Sequence, residues 1–330
     1  MRFCILGLVE VQDERSGLRV LPTGAKQRAL LAALVVKAGH EISARRLIDE
    51  LWGGHPPANA ANALQIHVAR LRRLLSGPAE RDADQPERRP WIETTGHGYA
   101  LRLSPAETDA ARFQHLTDQG RRALLHDPGQ AGELLGQALS LWRGPALQGS
   151  VLGDICADEA TRLDEHRLAA LEMRYDAYLR TGRHGEITGE LVDLTLQHPT
   201  RERFYDLLMV ALYRCGRQAE ALAVYERART RMRHELGVEP GPALRELMRR
   251  ILHHDPALAR TPGPRPADPS QPRATPAPAD DAALSLGDEM ARLHRRIERL
   301  QREQDQLLRC FRELTASAAQ RDMSVNWEGS

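Results

Sequence analysis

One stretch of this chain carries side chains whose types and spacing suit the reading of a nucleic acid. Within residues 59–76, Asn62, Gln65, Ile66, Ala69, Arg70, Arg72 and Arg73 occur with no carboxylate among them. At the helical repeat of about 100° per residue, Leu64, Val68, Leu71 and Leu75 fall within about 60° of one another and form an apolar stripe to be buried. Opposite that stripe lie Asn62, Ile66, Ala69 and Arg73, flanked by Gln65, Arg70 and Arg72. Asn and Gln amides pair with adenine edges, Arg with guanine, and an exposed Ile or Ala lies against a thymine methyl. A merely solvated helix face would mix Glu with Arg to gain i,i+4 pairs. The face is therefore a candidate for the major groove of DNA. Its other reading is an Arg-rich surface in a chain with only two lysines, Lys26 and Lys37.

Further candidates flank that helix. Thr95, Gly96 and His97 form a small-residue turn that permits close approach to a backbone or a minor groove; His97 also reads as an ordinary turn histidine. Arg45 and Arg46 begin a preceding helix and are either phosphate contacts or solvent-facing charges. Trp52 reads as core. No GxxxxGK phosphate loop, HExxH or GxSxG is present, and no metal-spaced cluster, so neither catalytic residues nor a cofactor or metal site is expected. Cys4, Cys156, Cys215 and Cys310 are far apart, without a CxxC pair, and read as small, mostly buried hydrophobes.

The elements that must hold these residues follow from changes of period. Phe3, Ile5 and Leu8 to Val11 read as a strand, Glu10 to Gly17 as a turn, and Leu18 to Leu21 as the return of a hairpin. Thr23 is placed to cap a first helix carrying Leu30, Leu31, Leu34 and Val35 and stopped by Gly39; Ser43 caps a second, carrying Leu47, Ile48 and Leu51 and ending at Trp52-Gly53-Gly54. The third helix follows, then a solvated loop over 77–90, then WIETTGHGYALRL as two strands around a glycine turn.

Charge agrees with this placement. The 330 residues carry 46 basic and 45 acidic side chains, so any electrostatic function is local. Residues 1–105 hold 15 basic against 11 acidic, residues 106–255 hold 20 against 23, and the remainder is balanced. No apolar run is long enough to span a membrane and no signal peptide is seen, so a cytoplasmic protein without membrane partners is expected.

From Thr108 to about His254 the pattern is helical and repeats. Tyr178, Gly182-Arg183, Glu186 and Leu191 recur 34 residues later as Leu212, Gly216-Arg217, Glu220 and Tyr225, and about 34 residues is the tetratricopeptide period. Two repeats are too few for a solenoid, so helices within 108–145 and 158–178 are expected to cap them. Trp142, Tyr205 and Tyr225 read as packing residues, with a ligand groove as the other reading. After Asp255 come eight prolines within residues 256–280, the composition of a flexible linker. Leu286, Met290, Leu293, Ile297, Leu300, Gln304, Leu307, Phe311 and Leu314 then follow at alternating spacings of four and three, the seam of a coiled coil. This segment reads as a dimerisation helix, or as an amphipathic helix folding back on the preceding domain.

The stretches GAKQRALLAALV, LIDELWGGHPP, LQIHVARLRRLL and GHGY together resemble the OmpR-type winged-helix DNA-binding domain of the Streptomyces antibiotic regulatory protein (SARP) family. ALSLWRGPAL, DEHRLAALE, TGRHGEITGEL, HPTRERFYDLLMVALYRCGRQAEALAVYERAR and ELGVEPGPALREL resemble the bacterial transcriptional activation domain that follows it in those regulators. The resemblance implies a mainly α chain. Residues 1–105 are then an α+β winged helix-turn-helix and 106–255 an all-α tetratricopeptide-like activation domain. A proline-rich linker (256–283), a coiled-coil helix (284–318) and a disordered tail (319–330) complete the expected organisation.

By the same resemblance, the function is that of a transcriptional activator of a specialised-metabolite (antibiotic) gene cluster. It would bind direct repeats in double-stranded promoter DNA, as a homodimer or higher assembly at the nucleoid, and recruit RNA polymerase holoenzyme including its sigma factor. Gly53, Gly54, His55, Pro56 and Pro57 lie where related winged helices touch polymerase. Larger relatives continue into a nucleotide-binding ATPase region; here a proline linker and heptads follow instead, and no receiver domain precedes. The competing reading is a helical-repeat scaffold whose winged helix does not read DNA; an enzyme is the weakest.

Overall fold

The computed structural model describes residues 1–13, 17–76, 91–103, 107–151 and 153–259. Its first residues form a three-stranded antiparallel meander, β1 (Arg2–Cys4), β2 (Glu10–Gln12) and β3 (Arg19–Val20). The segment from Phe3 to Val11, expected as one strand, is thus two. Between them Gly7 adopts a φ of +144°, and a Cβ there would lie 3.0 Å from that of Arg143, so the turn needs a residue without a side chain.

Helix α1 (Ala25–Val36) follows, with Leu30, Leu31 and Leu34 fully buried. Its N-cap is Gly24, with no side-chain cap; the Thr23 hydroxyl, expected to cap it, instead donates to Gln27 Oε1 at 2.8 Å. A short strand β4 (Ile42–Ser43) leads into α2 (Ala44–Trp52), whose Arg46 amide donates to the Ser43 hydroxyl at 3.3 Å, the cap the sequence predicts. Gly53 ends α2 with a φ of +57°. Helix α3 (Ala60–Leu75) buries Leu64, Val68, Leu71 and Leu75, each at most 1% exposed. Each such burial stabilises by roughly 1.5–3 kcal/mol. Strands β5 (Ile92–Thr94) and β6 (Gly98–Leu101) form the closing hairpin, and β6 also pairs with β4, giving a sheet of order β4-β6-β5.

The rest is helical: α4 (Asp109–Ala123), α5 (Pro128–Ser140), α6 (Asp154–Arg180), a short 3-10 turn (His184–Glu186), α7 (Thr188–Gln197), α8 (Glu202–Arg214), α9 (Gln218–Leu236), α10 (Pro242–Leu252) and α11 (Pro256–Ala259). The 34-residue repeat is visible down to its hydrogen bonds. Gly182 and Gly216 turn with φ of +77° and +75°, and the Arg183 and Arg217 amides donate at 2.9 Å to the carbonyls of Tyr178 and Leu212. Arg183 and Arg217 then each grip the glutamate three residues on, Glu186 and Glu220, through two nitrogens.

Two hydrophobic cores result. The first joins the winged helix to α4, α5 and the start of α6 through Phe3, Leu6, Leu34, Phe113, Leu135, Ile155 and Leu163; the second runs from Leu168 and Tyr175 through Phe204, Leu208 and Tyr225 to Leu258. The two cores therefore meet within α6. Trp142, Tyr205 and Tyr225 are buried, as expected of packing residues, and none of them lines the open groove of about 420 Å³ that lies between α6, α8 and α11. Of the described cysteines, Cys4 and Cys156 are buried and Cys215 is exposed. Pro256–Ala259, assigned by composition to the flexible linker, is a short helix whose Leu258 is buried. The remaining linker and the heptad residues Leu286 to Leu314 lie outside the described residues.

Candidate nucleic-acid interface

Burying Leu64 and Val68 fixes the rotation of α3, and that rotation turns Asn62, Gln65, Ile66, Ala69, Arg70 and Arg73 to solvent. Ile66 is 45% exposed, which puts an apolar side chain on that face. The exposed surface is therefore mixed in the sense base edges require: two amides, two apolar groups and two guanidiniums on one helix face.

Arg72 departs from this set. Its Nε donates to the Ile92 carbonyl at 3.0 Å and its Nη2 to the Thr94 hydroxyl at 2.7 Å, with the guanidinium 5.9 Å from the Tyr99 ring centroid. The sequence reading grouped it with Arg70 and Arg73, yet the fold places strand β5 beside it, and two of its five N–H donors hold that strand.

The hairpin β5–β6 stands next to α3, with Gly96 and His97 exposed at its tip and Thr95 half-buried. The Thr95 amide donates to the Gly98 carbonyl at 3.0 Å and the Gly98 amide to the Thr95 hydroxyl at 3.2 Å, closing the turn. Gly98 has no alternative: a Cβ there would lie 1.9 Å from the Ile42 carbonyl oxygen. His97 is held through its backbone, its amide donating to Glu41 Oε1 at 3.1 Å and its carbonyl accepting from the Ala44 amide at 3.0 Å. Arg45 and Arg46 are exposed on the first turn of α2, next in sequence to that contact.

Behind the surface, Trp52 is half-buried between the His67 ring, 6.0 Å between centroids, and the Lys26 ammonium, 4.9 Å from its ring. Burial first, then the charges of Arg70 and Lys26, pushes the His67 imidazole below its ordinary range. Gly53, Gly54, His55, Pro56 and Pro57 are all exposed in the link from α2 to α3.

Sequence reasoning missed the residues that join this surface to the helical region. Glu50 of α2 is 3% exposed and accepts from the amides of Gly153, Ile155 and Cys156 at 2.8–3.1 Å, at the start of α6. Asp109 accepts from the Ile5 and Leu6 amides at 2.8 and 3.1 Å and from Arg143 at 2.9 Å, and Arg143 also pairs with the buried Glu10. Each contact joins residues more than thirty apart in sequence, so no local pattern signals it.

Comparison with known proteins finds two regulatory domains in the same order along the chain. Residues 19–101 match the family model "Transcriptional regulatory protein, C terminal", and residues 108–252 match "Bacterial transcriptional activator domain". The chain is 43% identical to the transcriptional regulator RedD of Streptomyces coelicolor, over 77% of this chain and 71% of that one. It belongs to the SARP family. The regulatory protein DnrI of Streptomyces peucetius is 36% identical over 74% of this chain and 90% of its own. The regulatory protein AfsR of Streptomyces coelicolor is 43% identical, but this chain spans only 25% of it. Among solved structures, Mycobacterium tuberculosis EmbR, in complex with a low-affinity phosphopeptide, superposes with a TM-score of 0.69 at 32% identity, covering 77% of this chain and 65% of that one. This SARP-family chain is a DNA-binding transcriptional activator. Among the described residues, no helix is long and apolar enough to cross a membrane.

Proposed function

We propose that this SARP-family chain activates a specialised-metabolite (antibiotic) gene cluster by binding direct repeats in its promoters and recruiting RNA polymerase holoenzyme. Helix α3 enters the major groove, with Asn62, Gln65, Ile66, Ala69, Arg70 and Arg73 facing base edges and phosphates. Arg45 and Arg46 take phosphates beside it, while Thr95, Gly96 and His97 meet the backbone or the minor groove. The exposed link Gly53–Pro57 contacts polymerase, including its sigma factor, and the heptad segment pairs two copies. The protein works in the cytoplasm at the nucleoid, by binding alone and without catalysis.

The observation that carries this reading is the solvent-facing side of α3: two amides, two guanidiniums and an isoleucine, with no carboxylate. Gel-shift titration against promoters neighbouring the chain's own gene tests it. Binding is expected to weaken steeply with salt as phosphate counterions are released. Replacing Arg73 by Ala is expected to cost on the order of 1–3 kcal/mol and to relax one operator position. A chain that binds no promoter above its affinity for unrelated duplex overturns the reading and leaves the helical repeats as a protein scaffold.

A further inference from the structure

The wing is fastened to the helix-turn-helix from both sides by charged groups. On the β5 side Arg72 holds the Ile92 carbonyl and the Thr94 hydroxyl. On the tip side, Glu41 holds the His97 amide at 3.1 Å while the Ala44 amide holds the His97 carbonyl. Both backbone groups of His97 are thereby committed to the corner between β4 and α2, the corner that carries Arg45 and Arg46.

Glu41 is an exposed carboxylate beside a surface that receives phosphates. Its charge opposes the approach of any duplex, whatever its sequence, while its carboxylate accepts the hydrogen bond from the wing tip. Resting on the reading of α3 and the wing as the DNA surface, we propose that Glu41 is a positioning residue that latches the wing tip before DNA arrives. It gives up affinity for DNA in general in exchange for discrimination of the operator. A tip already tied down loses little further freedom on binding, so its contacts are made only where the duplex fits the fixed pose.

The two roles of Glu41 separate chemically. Gln keeps an acceptor oxygen for the His97 amide and removes the charge; Ala removes both. Binding of full-length E41Q and E41A to operator and to unrelated duplex, with amide hydrogen exchange of the free proteins over residues 94–98, tests the assignment.

E41Q is expected to bind both duplexes about threefold more tightly at low salt, with the ratio between them unchanged because the tie to His97 is kept. E41A is expected to bind operator about fivefold more weakly despite losing the same charge, and its His97 amide to exchange faster than in wild type or E41Q. If both variants tighten alike, or if the His97 amide in E41A exchanges as in wild type, the latch is overturned. If wild type fails to discriminate operator from unrelated duplex, the DNA reading falls instead, and the exchange comparison judges the tie at His97 on its own.

Discussion

Glu50 on α2 caps α6: one carboxylate, 3% exposed, receives the amides of Gly153, Ile155 and Cys156, more than a hundred residues further along the chain. The first turn of a helix presents unpaired N–H groups and the positive end of its dipole, so a carboxylate there is held by both hydrogen bonds and field. Because α6 begins in the first core and ends in the second, this contact ties the helix-turn-helix to the whole helical region. Glu50→Ala leaves three amide donors without their partner and is expected to destabilise by about 2–4 kcal/mol. Glu50→Gln keeps acceptor oxygen but turns an NH₂ toward the same donors, and should recover less than half of that loss. Urea denaturation followed by circular dichroism reads both; a loss under about 0.5 kcal/mol for Glu50→Ala would show that the cap contributes nothing.

Arg143 pairs with two carboxylates that are almost wholly buried, Glu10 and Asp109, one positive charge against two acids. Burial pushes the Asp109 carboxyl above its usual range, against the opposing pull of the Ile5 and Leu6 amides and of Arg143. A raised carboxyl pKa means that the folded state binds the proton more readily than the unfolded chain. Stability from this group therefore falls as pH rises from the unfolded value through the raised one, and stays low above it. Removing the guanidinium in Arg143→Met pushes the carboxyl higher still and widens that window. The variant is expected to lose about 3–5 kcal/mol at pH 7, as for other broken buried pairs, and measurably less at pH 5, where Asp109 can take up its proton. Denaturation at the two pH values checks this, and an equal loss at both would show that Asp109 stays ionised without its partner.

What could be read along the chain and what could not divide by the range of the interaction. The stripe Leu64, Val68, Leu71, Leu75 and the cap of Ser43 are set by neighbours within a turn or two, and spacing alone located them. The 34-residue repeat was legible because the same local turn, glycine with φ near +75° followed by an Arg–Glu pair, is needed twice. Thr23 had the right chemistry for a cap, but Gln27 took its hydroxyl. Gly7 breaks the first strand because Arg143 crosses it, and β4 exists because β6 pairs with it; both causes lie more than fifty residues away. The candidate surface shows the same division: the outward face of α3 follows from its buried stripe, whereas the redirection of Arg72 depends on where β5 docks.

His67 sits on the inner flank of α3 with its Nδ1 buried and without a hydrogen-bond partner, against Trp52. Burial, Arg70 and Lys26 hold its imidazole below the ordinary value of 6.5. The folded state therefore resists a proton that the unfolded chain accepts, so the stability tied to this residue is fully present above 6.5 and is lost as pH falls below it. Wild type is expected to lose more stability between pH 7.5 and pH 5.5 than His67→Gln does, although the variant is less stable in absolute terms because it gives up ring packing. Parallel slopes for the two proteins would remove His67 as the source.

Arg72 and Arg73 are neighbours in sequence with different duties, and salt separates them. Arg73 is exposed on the outer face of α3, whereas Arg72 is half-buried and bonded to Ile92 and Thr94. A side chain that meets a phosphate releases about one counterion on binding, so its removal lowers the slope of log affinity against log salt by about 1. Arg72→Gln is expected to weaken operator binding several-fold while leaving that slope nearly unchanged. The loss arises from a loosened wing, and footprint protection should shrink at the flank the wing covers while the base preferences read by α3 stay as they are. Arg73→Ala keeps the full footprint and relaxes one position. If Arg72→Gln instead lowers the slope by one with the footprint intact, its guanidinium leaves β5 for a phosphate when DNA binds, and the tie to Thr94 belongs to the free protein alone.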